Sequence, residues 1–98
     1  MIQNGSQEDF RMITIEQIRA ARGLLGWSQL ELARRAKLSL PTVKRVETGT
    51  GPRVSEEARA RIRQALEGGG AQFIAEDGGG PGVRLQRRQR SKRISARD

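Results

Sequence analysis

The stretch from Trp27 to Gly49, WSQLELARRAKLSLPTVKRVETG, limits what this chain can fold into more than any other, because it holds two short helix signals with only Lys37 and Leu38 between them. Ser28 with Glu31 three residues on has the form of a capping box, and Leu32, Ala33 and Ala36 then share one face, which predicts a helix over Gln29–Ala36. Ser39 caps a second helix, Ser39–Thr48, which must stop there since Gly49, Gly51 and Pro52 follow within four residues. Pro41 is tolerated in its first turn, where amides have no intrahelical partner. Val43 and Val46, three residues apart, form its inward pair, leaving Pro41, Thr42, Lys44 and Arg45 outside. Such a helix turns one side to a core and a short basic side to something beyond the domain.

Two further helices flank this pair. Thr14 and Gln17 have the capping-box spacing, and Ile15, Ile18, Arg22 and Leu25 then recur at three, four and three, predicting a helix over Ile15–Leu25 that stops at Gly26. Val54 before Ser55 reads as a hydrophobic staple, with Glu56 and Glu57 at the positive end of a helix dipole. That helix, Glu56–Glu67, turns Ala58, Ile62, Ala65 and Leu66 inward, is expected to keep Arg59, Arg61 and Arg63 in water, and ends on Gly68, Gly69 and Gly70. The period then changes from 3.6 to 2. AQFIAED, GGGPG and VRL predict strands over Ala71–Glu76 and Gly82–Leu85 around a glycine-rich turn. The glycines do not make a phosphate-binding loop, since neither a helix nor a Lys-Ser/Thr pair follows them. A lone hairpin is marginal in water, so Phe73, Ile74, Val83 and Leu85 need a surface to cover them.

Composition bounds the rest. The 98 residues support one small domain, and with aromatics at 3% (Phe10, Trp27 and Phe73) its core must be aliphatic, which suits a helical bundle. Trp27, entering the second helix, is expected to be core. The net charge of +8 favours polyanionic partners, and it is uneven: residues 86–98 hold six basic residues and one acid, net +5, leaving +3 for residues 1–85. The chain has no Cys and no His, which removes disulfides, thiolate and imidazole metal sites, and acid–base work by histidine. No paired acids sit in a cleft-forming context, so the expectation is no enzyme, no cofactor and no metal. MIQNGSQEDF lacks the basic end and apolar run of a signal peptide, and no apolar stretch approaches ~20 residues. A cytoplasmic, nucleoid-associated protein with no membrane contact is expected.

Residues 14–66 resemble the Cro/repressor-type helix-turn-helix family, also called XRE-like. The resemblance rests on the Ser28-Gln29 start, Leu32-Ala33, the Ser39 cap, Val43 with Val46, and Glu47 followed by Gly49. It implies a mainly α, four-helix helix-turn-helix domain over residues 12–68. Around it the expectation is a mobile arm at 1–11, a short C-terminal β-hairpin at 69–85, and a disordered basic tail at 86–98. It further implies a sequence-specific regulator of transcription, a repressor or controller of bacterial type, dimeric on an inverted repeat of double-stranded DNA.

By the same resemblance, Leu40, Pro41, Thr42, Lys44 and Arg45 face bases in the major groove, while Ser28, Gln29, Thr48 and Arg53 meet backbone phosphates. Arg22 and Glu47 form a partly buried ion pair. One departure is Lys37, which stands where the family often has Gly, so a non-Gly residue must take a left-handed conformation. For the hairpin, Phe73, Ile74, Val83 and Leu85 are the expected dimer surface, the alternative being that each hairpin folds back on its own fourth helix. A competing function is an antitoxin or adaptor of the same fold that grips a partner protein through the hairpin and tail.

Overall fold

Each of the four described helices starts on a hydroxyl. Thr14, Ser28, Ser39 and Ser55 have extended backbone, and each side-chain oxygen accepts from the backbone amide three residues on, satisfying a donor that the first turn would otherwise leave unpaired. A computed structural model of the chain describes residues 13–50, 54–75 and 78–86. Its elements are α1 (Ile15–Leu25), α2 (Gln29–Ala36), α3 (Leu40–Thr48), α4 (Glu56–Gly69), β1 (Ala71–Ile74) and β2 (Gly82–Leu85). The fold is mainly helical, with four helices and one two-stranded antiparallel hairpin among the described residues. The expected arm at 1–11 and nearly all of the tail lie outside those residues, as does Arg53.

The apolar stripes read from the sequence meet in one core. Ile18, Leu32, Val43, Ile62 and Leu66 are its largest fully buried side chains, drawn from all four helices, and Ala21, Ala33 and Ala36 let the helix backbones approach. The capping box at Thr14 is complete, since Gln17 Oε1 accepts from Thr14 N at 2.8 Å while Thr14 Oγ1 accepts from Gln17 N at 3.0 Å. At Ser28 only half of it forms. Ser28 Oγ accepts from Glu31 N at 3.0 Å, but the Glu31 carboxylate instead takes Arg35 Nε at 2.6 Å. An opposite charge one turn away on the same face outbids a neutral backbone amide.

Two boundaries differ from the sequence reading. α4 runs past Glu67 through Gly68 and Gly69, and only Gly70 takes the left-handed conformation, with φ 118 and ψ 2. The reason is tertiary: a Cβ on Gly69 would lie 2.6 Å from Cζ2 of Trp27, so the bare backbone there is the seat of the indole, and the helix persists to present it. β1 stops at Ile74 rather than Glu76 because its partner strand has already left extended geometry; Gly80 has φ 91, and Pro81 follows it.

The hairpin pairs Ala71 with Leu85, Gln72 with Arg84, Phe73 with Val83 and Ile74 with Gly82. Strand alternation puts Phe73 and Val83 on one face, and both pack against the helical core of their own chain. The hairpin lies along α1, with β1 also against α4. Two of the four apolar residues expected to need a surface, Phe73 and Val83, are therefore partly covered from within. Leu85, at the strand end, keeps 44% of its surface in water.

Of the three α4 arginines, Arg61 is exposed as expected while Arg59 and Arg63 are half-buried, and each finds a neighbour. Arg59 Nη2 donates to Ile13 O at 3.3 Å, Arg61 Nη1 donates to Lys37 O at 3.2 Å, and the Arg63 guanidinium stands 5.3 Å from the Phe73 ring centroid. Long stems let these side chains lie on apolar or carbonyl surface while the charged head stays at its edge.

Candidate nucleic-acid interface

α3 is the element whose outer side is most distinct from its inner one. Val43, Val46 and Glu47 are buried, whereas Pro41, Lys44 and Thr48 are exposed and Leu40, Thr42 and Arg45 are half-buried. The five residues expected to face bases thus lie together on one convex, net-positive strip. Lys44 and Arg45 have no carboxylate partner among the described residues. Arg45 lies back along its own helix, with Nη2 3.5 Å from Thr42 Oγ1, and its Nε is buried with no acceptor among the described residues.

The first turn of α3 is tied down by Ser39, whose hydroxyl accepts from Thr42 N at 3.2 Å and sits 2.9 Å from Thr42 Oγ1. At its other end Thr48 donates to Lys44 O at 2.9 Å and lies 2.8 Å from Thr50 Oγ1. Thr48 is exposed there, at the start of the segment that contains Arg53.

What fixes the angle of α3 is a polar cluster behind it. Arg22 Nε reaches Glu47 Oε2 at 2.8 Å and Arg22 Nη2 reaches Glu47 Oε1 at 2.9 Å, a two-pronged pair in which the Glu47 side chain is only 2% exposed. Gln29 Nε2 donates to the same carboxylate at 3.0 Å, Arg22 Nη1 donates to Trp27 O at 3.1 Å, and Arg19 Nη1 donates to Glu47 O at 3.0 Å. Glu47 on α3 thereby holds α1 and the first residue of α2 at once. A buried charge this well satisfied resists rotation, because moving any partner strands the carboxylate.

Of the residues expected at phosphates, Ser28 is exposed at the start of α2 with its hydroxyl engaged as the cap. Gln29 is half-buried, and one of its two amide hydrogens is committed to Glu47. Nothing in the sequence signals this inward role, nor that of Arg19, although Arg19 shares a helix face with Arg22 at a spacing of three. Trp27 packs against the core as expected but stays half-buried, with the Gly69 backbone against its ring and the Arg35 guanidinium 4.2 Å from the ring centroid. Lys37 takes the left-handed conformation, φ 60 and ψ 47, and no other non-glycine among the described residues has positive φ.

Two packed helices joined by a short turn, the second carrying an uncommitted basic strip and braced by a buried ion pair, form a unit that fits a helix into a groove at a set angle. Residues 18–57 match the family model for the helix-turn-helix, a span from the first turn of α1 to the first turn of α4. No curated protein matches the sequence. No described helix is long and apolar enough to cross a membrane. The chain carries, over residues 18–57, a helix-turn-helix domain of the Cro/repressor, XRE-like family, the domain of a DNA-binding regulator.

Proposed function

We propose that this protein is a transcriptional repressor or controller that binds an inverted repeat as a two-fold dimer, each copy placing α3 in the major groove. The observation that carries the reading is the outer strip of α3, where Lys44 and Arg45 have no ion pair among the described residues while Glu47 behind them is fully engaged. The major groove distinguishes all four base pairs by their donor and acceptor edges, and an arginine reads guanine there through two parallel hydrogen bonds. Arg45 is the reader of that kind, Lys44 and Thr42 are further polar contacts, and Leu40 and Pro41 are suited to thymine methyl groups. Ser28, Gln29, Thr48 and Arg53 set the register by holding phosphates.

Dimerisation supports specificity, since one short helix spans few base pairs and half-sites one helical turn, ~34 Å, apart double the contact. The surface for it is the outer side of the hairpin. Gln86 N donates to Gly70 O at 2.7 Å, so the hydrogen-bonded phase of the ladder falls on Gln72–Arg84 and Ile74–Gly82, and the peptide groups of Ala71, Phe73, Val83 and Leu85 face the two strand edges. An edge of this kind pairs readily with its own copy across a two-fold axis, and Ile74 and Leu85 add apolar surface that the core does not cover.

In vitro selection of bound duplexes, repeated with Arg45→Ala and Arg53→Ala, tests the reading. Selection with the native chain is expected to return a palindrome. Arg45→Ala is expected to relax one base position per half-site, worth about 1–3 kcal/mol of discrimination. Arg53→Ala is expected to weaken every sequence alike. Equal losses on selected and random DNA for Arg45→Ala would remove it from the groove.

A further inference from the structure

α1 meets the C-terminal end of α3 along one face. Ile15, Arg19 and Arg22 stand at spacings of four and three, which sets them in a row on the helix. Each has its place at that end: a Cβ on Gly49 would fall 3.1 Å from Ile15 Cδ1, Arg19 Nη1 donates to Glu47 O at 3.0 Å, and Arg22 takes the Glu47 carboxylate. The row differs in exposure. Ile15 and Arg22 are half-buried, whereas Arg19 is exposed. Covalent geometry then puts Nη1 of Arg19 within about 6 Å of Thr48 N, since Glu47 O belongs to the peptide that Thr48 completes.

Resting on the DNA-binding reading above, which sets Thr48 at a backbone phosphate, we infer that Arg19 is a further phosphate contact, supplied by α1 at the trailing end of the reading helix. No carboxylate pairs with Arg19 among the described residues, and Nη1 is the only one of its nitrogens with an acceptor there. A guanidinium carries five N–H donors in a fixed fork, so most of them are left for an incoming anion. The position also needs a cation. The last carbonyls of a helix carry roughly half an elementary negative charge, so a phosphate passing Thr48 would be repelled by α3 itself. Arg45 is the one basic residue in the last turn of α3, and it lies back toward Thr42. Arg19, seated on Glu47 O from the neighbouring helix, outweighs that negative end while its own charge stays in water. An arginine so placed adds affinity with no sequence information, because the phosphate oxygens are the same at every base pair.

The experiment measures the native chain, Arg19→Gln and Arg19→Lys on the selected duplex and on random duplex at several salt concentrations, together with the melting temperature of each. The native chain comes first; failure to bind any duplex would overturn the function reading, and this inference with it. Given binding, Arg19→Gln is expected to lower the slope of log K against log salt by about 0.9, one phosphate's worth, and to weaken both duplexes about threefold to tenfold, with the preference between them unchanged within about twofold. Arg19→Lys keeps the charge and is expected to keep the native slope. Duplexes with a single methylphosphonate at each backbone position in turn locate the contact: one position per half-site should cost the native chain affinity and cost Arg19→Gln nothing. Arg19→Met carries the test if the glutamine chain does not fold. A lower melting temperature with the native slope would reduce Arg19 to a tie for the end of α3. That result, a loss of preference in place of slope, or a lysine chain as impaired as the glutamine one would each overturn the inference.

Discussion

α1 is joined to the rest of the molecule by two polar devices built on opposite principles. Toward α3 it uses charge: Arg22 and Arg19 converge on Glu47, with Gln29 closing the cluster from α2. Toward the hairpin it uses one neutral amide, since Gln17 Nε2 donates to Ile74 O at 3.1 Å and to Gly82 O at 2.8 Å while its oxygen completes the cap at Thr14. Gln17 is only 6% exposed and satisfies three partners. The first device sets the angle of the helix proposed to meet a groove, and its charges are satisfied only as a set. The second clamps the loop end of a strand pair, where Ile74 faces Gly82. Breaking the charged device leaves an ion buried. Breaking the neutral one leaves no charge unpaired.

The difference has a measurable size. Glu47→Ala is expected to cost about 3 kcal/mol or more, because Arg22 is left charged and partly buried without its partner. In a domain this small that lowers the melting temperature by on the order of 10–20 °C, which calorimetry reads directly. An unchanged melting temperature would show that the pair does not brace α3. Gln17→Leu should cost less, about 2 kcal/mol for the hydrogen bonds it removes. Its effect should also be local. Amide exchange is expected to quicken in β1 and β2 while α2 and α3 keep their protection. Gln17→Glu keeps an acceptor for the Thr14 cap but turns an oxygen toward Ile74 O and Gly82 O, so it should loosen the hairpin as well; hairpin amides as protected as before in both variants would sink the clamp.

A smaller effect separates the two sides in backbone rather than side-chain terms. The chain passes from α4 into the hairpin through left-handed Gly70, whereas it passes from α2 into α3 through left-handed Lys37. Lys37→Gly relieves that strain and is expected to stabilise by something under about 1 kcal/mol, offset in part by the freer unfolded chain. A destabilised variant by urea titration would mean that the Lys37 side chain contributes more than its backbone costs.

How far the sequence can be read follows the range of the interactions. Helix starts are legible because a Ser or Thr and the amide it serves are three residues apart, and the inner face of α3 is legible because Val43 and Val46 declare it. The pairing of Arg22 with Glu47 comes only by resemblance to a family. Gln17's second role is not legible at all, since its hairpin partners lie 57 and 65 residues away and the residue already has a local explanation as half of a capping box. The end of α4 escapes the sequence for a related reason: three glycines have one composition whether they finish a helix or bear an indole, and Trp27 decides which. Phe73 and Val83 pose the same ambiguity between cover from within and cover from a partner. At the interface, the outer strip of α3 can be read off, whereas Gln29's inward commitment depends on the crossing of α2 and α3 and has no local signature.

Trp27 is the only tryptophan of a chain that has no tyrosine, and it stands between the Arg35 guanidinium and the bare backbone of Gly69, one residue before Ser28. The protein therefore carries a single intrinsic fluorophore, placed where the last turn of α4 meets the first residue of α2. Its emission reports separately on two events without any added label. Unfolding exposes the indole to water and shifts the band to longer wavelength, whereas the phosphate contact proposed for Ser28, one residue away, is expected to change its intensity while the fold stays closed.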